Sequence, residues 1–129
     1  MSRLILGKLP ECFVVEDQAD NRKIIRDMLS GTDYEIIEAE NGEEALAAIA
    51  KQRPDLILMD IQLPIMDGYT ATSQIKADPA LRSIPIIAVT SYALAVEEKK
   101  ARAAGCDDYV TKPFSPRQLL AKIRQYIAE

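Results

Sequence analysis

The sequence predicts an α/β domain built on a parallel five-stranded sheet with helices on both faces. Three short and nearly continuous apolar runs carry this expectation: CFVV at 12–15, DLILM at 55–59 and IPIIAV at 84–89. Runs of this length read as strands buried on both faces, as in a parallel sheet covered on each side. The segments between them place apolar residues at helical spacing, so strand and helix alternate along the chain. A length of 129 residues is about one domain, and 48% hydrophobic with 28% charged residues suits a chain that folds around its own core.

Taken in order, CFVV opens the sheet and leads through the acidic stretch EDQADN at 16–21 into the first helical segment. YEIIEA at 34–39 is a shorter, more polar second strand and is expected at a sheet edge. The second helix spans Gly42 to Lys51, with Asn41 as N-cap, Glu44 three residues on, and Ala45, Leu46 and Ile49 as its apolar stripe. DLILM is the third strand and IPIIAV the fourth, with a helix between them. The fourth helix stops at Gly105, just past Ala101 to Ala104. DDYVTK at 107–112 is the other edge strand. The last helix has Ser115 as cap, Pro116 in its first position and Gln118 to complete a capping box, then Leu119, Leu120, Ile123, Tyr126 and Ile127 at helical spacing. With the apolar strands central and the polar ones outside, the strand order is 2-1-3-4-5, the flavodoxin-like doubly wound arrangement with five helices. No composition shift, repeat or linker divides residues 1–129, so one domain is expected.

Composition narrows the chemistry. Sixteen basic against twenty acidic residues give a net charge of -4, which removes the broad attraction behind nucleic-acid or acidic-membrane binding. There is no histidine, so a Ser-His-Asp or Cys-His nucleophile, a histidine zinc site and a phosphohistidine of the chain's own are all excluded. Cys12 and Cys106 lie far apart in apolar stretches and read as buried, reduced thiols, which suits a cytoplasmic location. The N-terminal MSRLILGKLPECFVV is broken by Lys8, Pro10 and Glu11, and no apolar run is long enough to span or anchor in a membrane.

In this fold ligands bind at the carboxyl ends of the strands, near the topological switch point. Glu16 and Asp17 follow the first strand there, Asp60 the third, Thr90 the fourth and Lys112 the fifth. Three carboxylates in one crevice repel one another unless a cation sits among them, and hard oxygen ligands suit Mg²⁺ or Mn²⁺. Lys112 adds fixed positive charge and Thr90 a neutral hydroxyl, a set able to orient a phosphoryl group. A carboxylate can itself be the acceptor. Singly, each residue has a plainer reading as a solvated loop residue, a cap or a Lys-Pro turn. Five at the proper strand ends outweigh it.

VVEDQ at 14–18, DLILMDIQLPIMDG at 55–68, AVTS at 88–91 and GCDDYVTKPF at 105–114 closely resemble the receiver domain of two-component response regulators over essentially the whole chain. The resemblance implies that Asp60 is the phosphoacceptor, that Asp17 ligates Mg²⁺ directly and Glu16 through water, and that the Gln62 backbone carbonyl completes the shell. Lys112 would hold a phosphate oxygen, with a cis bond to Pro113. Thr90 would swing toward the phosphate and Tyr109 turn inward behind it, coupling the site to the face of the fourth helix, fifth strand and fifth helix. Gln62 and Tyr92 would tune phosphate lifetime. Glu16 stands where many such domains carry Asp, and Ser91 where Ala is frequent. The charged run EEKK at 97–100 reads as a solvated helix face.

The expected function is a phosphorylation-activated switch and not an enzyme: a sensor histidine kinase or histidine phosphotransfer protein donates to Asp60, and a downstream protein target is engaged. No output domain is expected, and the state is monomer or phosphorylation-linked dimer. Three alternatives stand. A flavin carrier needs a Ser-, Thr- or Gly-rich loop where EDQADN lies. An aspartate-based phosphatase would carry a second carboxylate where Gln62 stands. A phosphorylation-independent interaction module has no need of the crowded carboxylates.

Overall fold

The computed structural model describes residues 9–91 and 95–128. Five strands, β1 (Glu11–Val15), β2 (Glu35–Ala39), β3 (Leu56–Asp60), β4 (Ile86–Thr90) and β5 (Asp108–Thr111), alternate with five helices: α1 (Ala19–Met28), α2 (Gly42–Lys51), α3 (Gly68–Ala77), α4 (Ala95–Ala104) and α5 (Pro116–Tyr126). All neighbouring strands are parallel and the sheet order is β2-β1-β3-β4-β5. Every residue of β1, β3 and β4 is buried, while β2 and β5 are mostly half-buried. Apolar run and sheet centre therefore coincide.

The alternation of side chains along a strand sorts the core into two layers. Cys12 and Val14 of β1 pack with Ile25 of α1 and with Leu119 and Ile123 of α5. Phe13 and Val15 pack on the other side with Ile49 of α2, Ile75 of α3 and Ala101 of α4. The strand boundaries differ from the sequence expectation by one or two residues, most tellingly in β3 and β4. Asp60 and Thr90 are the last residues of β3 and β4 and not the loop residues after them. Ile84 and Pro85 precede β4: Pro85 has no N–H to give the ladder, though its carbonyl accepts from Ile57 at 2.9 Å.

The end caps follow local chemistry. Asn41 accepts from the Glu44 N–H at 2.8 Å, but the Glu44 carboxylate reaches back to the Glu40 N–H at 3.1 Å and not to Asn41 itself. Ser115 and Gln118 form the complete reciprocal box, at 3.1 and 2.8 Å. Gly105 ends α4 at φ +106°, where a side chain would also meet Lys76.

At the amino end of the sheet, the Lys76 ammonium donates to the Arg82 and Ile84 carbonyls and to Asp107 Oδ2, at 3.0, 2.8 and 2.9 Å. Asp107 in turn accepts the Ile86 N–H at 2.8 Å, so one cation joins α3, the loop before β4 and the approach to β5. Lys76→Met should lower stability by about 2 kcal/mol, because carbonyls and a carboxylate lose a charged donor. Chemical denaturation checks this, and an unchanged midpoint would show the clamp to be energetically idle.

Candidate functional site

The carboxyl ends of β1, β3, β4 and β5 build one pocket. Glu16 directly follows β1, its N–H bonded to the Ala39 carbonyl at 3.0 Å, so its carboxylate is held inside the edge and is only 1% exposed. The Gln18 N–H donates to Glu16 Oε2 at 3.0 Å. Asp17 beside it is more open to solvent. Asp60, 6% exposed, ends the central β3, and the Gln62 N–H donates to its Oδ1 at 2.8 Å. Oxygens of Glu16, Asp17 and Asp60 lie within 4.8 Å of one another.

Lys112 closes the pocket from β5. Its N–H extends the ladder to the Thr90 carbonyl at 2.7 Å, and its ammonium bridges Glu16 Oε1 at 2.9 Å and Asp60 Oδ2 at 3.0 Å. The Lys112–Pro113 peptide is cis, in line with the expectation. The loop after Asp60 is folded tightly: Met66 N–H bonds Pro64 O at 2.7 Å around Ile65, which takes φ +69°. A β-branched residue in that region is strained. Gly68 then returns the chain so closely that a Cβ there would lie 2.2 Å from the Asp60 carbonyl oxygen.

Two carboxylates share one ammonium, and their titrations separate accordingly. Burial pushes Asp60 up, and the facing Glu16 carboxyl adds to this, against the opposing bonds from Lys112 and Gln62; the result is a pKa of about 6. Burial also acts on Glu16, but bonds from the Asp60 carboxyl, the Gln18 N–H and Lys112 outweigh it and hold Glu16 well below the usual carboxylate range. Asp17 is raised by desolvation and by Glu16. Burial pulls Lys112 down, yet its bonds to both carboxylates leave it net raised. Three crowded carboxylates face one ammonium, so the pocket takes up a proton more readily than free carboxylates do and a divalent cation would offset the same repulsion. The donor set is all oxygen, as Mg²⁺ or Mn²⁺ requires.

Thr90, 5% exposed, lies between Asp60 and Lys112 at the end of β4. Tyr109 is half-buried against the core, with its hydroxyl on Glu98 of α4 at 3.5 Å. Gln62 is exposed beside Asp60, and Tyr92 lies outside the described residues. The expectation for EEKK needs correction. Glu97 and Glu98 are half-buried, Glu97 accepting from the Tyr69 hydroxyl at 2.7 Å, because α3 and β5 each turn a tyrosine toward α4. Cys12 and Cys106 are buried free thiols whose pKa values burial raises to about 12 and 11.

Two residues at the pocket, Gly68 and Arg22, are not among those the sequence singles out. Gly68 looks like an ordinary helix start, and its close approach to Asp60 exists only once α3 is docked. Arg22 donates to the carbonyls of Glu16 at 2.8 Å and Asp17 at 3.2 Å; its placement one turn into α1, just past the acidic pair, was the available signal.

Comparison with known proteins agrees with this geometry. Residues 12–124 match the family model of the response regulator receiver domain. The polar-differentiation response regulator DivK of Brucella anthropi is 43% identical over 117 residues, covering 91% of this chain and 95% of that protein. A candidate response regulator from Chloroflexus aurantiacus superposes with TM-score 0.90 at 31% identity, over 95% of this chain and 100% of that one. The receiver domain of a sensor histidine kinase from Pseudomonas aeruginosa, solved with a magnesium ion coordinated in its active-site cleft, gives TM-score 0.85 at 37% identity, over 93% and 98%. Among the described residues, no helix is long and apolar enough to cross a membrane. Strand order, carboxyl-edge pocket and sequence likeness lead to one conclusion: the chain belongs to the response regulator receiver domains of two-component signalling.

Proposed function

We propose that this receiver is a phosphorylation-driven switch in which Asp60 accepts a phosphoryl group from a phosphohistidine of a sensor kinase or phosphotransfer protein. The observation that carries this is the convergence of Glu16, Asp17 and Asp60 under a single bridging ammonium, Lys112. An Asp60 carboxylate oxygen attacks phosphorus, a P–O bond forms, the P–N bond breaks, and the imidazole leaves with the electron pair. Asp17, Asp60, Glu16 and the Gln62 carbonyl would hold Mg²⁺ or Mn²⁺, which would supply positive charge to offset that of the phosphoryl group. Lys112 holds one phosphoryl oxygen and Thr90 another, and Gln62 with Tyr92 sets how readily water reaches the product.

The donor docks beside the pocket. Ile24, Met28, Pro113 and Phe114 line a mostly apolar groove of about 430 Å³ that Lys112 also lines. Ile24 is half exposed on α1, so a helical phosphohistidine domain has an apolar seat bordered by Lys112, which bonds Asp60. For output, Tyr109 leaves Glu98 as it turns inward with Thr90. Ala101 is the one fully buried residue described in α4, so loss of that bond lets the helix shift and changes the α4, β5 and α5 face seen by a downstream protein.

Intact mass after exposure to a small-molecule phosphodonor tests the reading. Wild type should gain one phosphoryl group only with Mg²⁺, and Asp60→Asn none. Failure of folded, Mg²⁺-binding wild type to form either an adduct or a beryllofluoride complex would overturn it. Because the ion displaces the proton held by Asp60 with its pKa of about 6, Mg²⁺ affinity should be flat above pH 7 and fall about tenfold per unit well below pH 6. Titrations at pH 5, 6 and 7.5 check this.

A further inference from the structure

We infer that Arg22 is a positioning residue of the metal pocket, holding the peptide groups of Glu16 and Asp17 so that their carboxylates stay converged on Asp60. This rests on the proposed Mg²⁺-dependent phosphoryl transfer. The Arg22 side chain is 13% exposed and its guanidinium is gripped from both sides. Toward β2 and the turn after it, Nε meets Glu38 Oε1 and Nη2 meets Glu40 Oε1, both at 3.3 Å. Toward the pocket, Nη1 donates to the carbonyl oxygens of residues 16 and 17 at 2.8 and 3.2 Å. One planar fork therefore joins the loop that carries two acidic side chains to the neighbouring strand, a geometry that the rotating ammonium of lysine does not reproduce.

The pocket needs such a hold. Glu16, Asp17 and Asp60 repel one another, and Gln18 gives α1 no side-chain cap; Ala39 and Lys112 hold Glu16 by its N–H and carboxylate, while Arg22 grips the carbonyls of residues 16 and 17. Arg26, one turn further along α1, provides an internal comparison. It also binds Glu38, at 3.1 Å, but among the described residues it makes no hydrogen bond to the acidic loop. If Arg22 served only to tie α1 to β2, Arg22 and Arg26 would be interchangeable in their effect on the metal.

Calorimetric Mg²⁺ titration of wild type, Arg22→Met, Arg22→Lys and Arg26→Met distinguishes the two roles, with amide hydrogen exchange at Gln18 in the metal-free proteins as a second readout. Arg22→Met should weaken Mg²⁺ binding 10- to 100-fold, as loss of support behind metal ligands does, and speed exchange at Gln18. Arg22→Lys should recover part of the affinity, and Arg26→Met should bind as wild type does. A Kd for Arg22→Met within twofold of wild type, or an equal loss in Arg26→Met, overturns the inference. Should Arg22→Met not fold, a wild-type Kd in Arg22→Lys overturns it. Wild type that binds no Mg²⁺ overturns the phosphoryl-transfer reading, and this inference with it.

Discussion

Asp60→Asn should abolish phosphoryl uptake and, in the metal-free protein above pH 6, raise stability by about 1–2 kcal/mol. The first effect follows from removing the nucleophile. The second follows from crowding. The Asp60 pKa is raised from 3.8 to about 6, so the folded state holds that proton more tightly than the unfolded chain does. Stability from this group is full below the unfolded pKa and is lost as pH rises through about 6. The raised pKa bounds the gain near 3 kcal/mol at about 1.4 kcal/mol per unit, and the lost charged bond to Lys112 offsets part of it. The difference between mutant and wild type should therefore be small at pH 4 and open between pH 4 and 6. Urea melts at several pH values in chelator check the sign, and a variant less stable than wild type at pH 7.5 would sink the account. Lys112→Met should act in the opposite direction, because two buried carboxylates lose their shared cation.

Gly68→Ala should destabilise the protein by about 2–3 kcal/mol and depress phosphoryl uptake beyond what unfolding explains. Two effects oppose each other at this position. Alanine in place of glycine in a helix ordinarily gains about 0.5–1 kcal/mol. Here the new methyl would sit 2.2 Å from the Asp60 carbonyl oxygen and 2.8 Å from the Ile61 Cα, and backbone cannot rotate away as a side-chain end can. Either α3 lifts from β3, breaking the 3.1 Å bond from the Gly68 N–H to the Ile61 carbonyl, or Asp60 is displaced in its pocket. Denaturation and the initial rate of phosphoryl uptake under fully folded conditions are the measurements. A stabilised Gly68→Ala with wild-type uptake would show that the loop yields freely.

The sequence by itself determined the class, the order of the sheet and the pocket's principal groups. Period and run length alone separate CFVV, DLILM and IPIIAV from the edge strands, since burial on both faces leaves no place for polar residues. Once that order stands, Glu16, Asp17, Asp60, Thr90 and Lys112 must meet, because parallel strands all end on one edge. The caps at Asn41, Ser115 and Gly105 were legible for a related reason: a helix end is satisfied by residues within one turn of it.

Tertiary structure decided what depends on distance across elements. That Lys112 bridges Glu16 and Asp60 and not Asp17, that the pKa of Asp60 is raised while that of Glu16 is lowered, and that Gln62 offers its N–H to Asp60 all hang on tenths of an ångström and on burial. The same holds for Glu97 and Glu98, whose charged run looks solvated until Tyr69 and Tyr109 arrive from α3 and β5. Arg22 and Gly68 are alike in this. One acts through backbone carbonyls and the other through the lack of a side chain, and although Arg22 stands just past the acidic pair and Gly68 ends a motif, neither contact can be read from spacing, because both arise only when a helix is laid against a particular strand end.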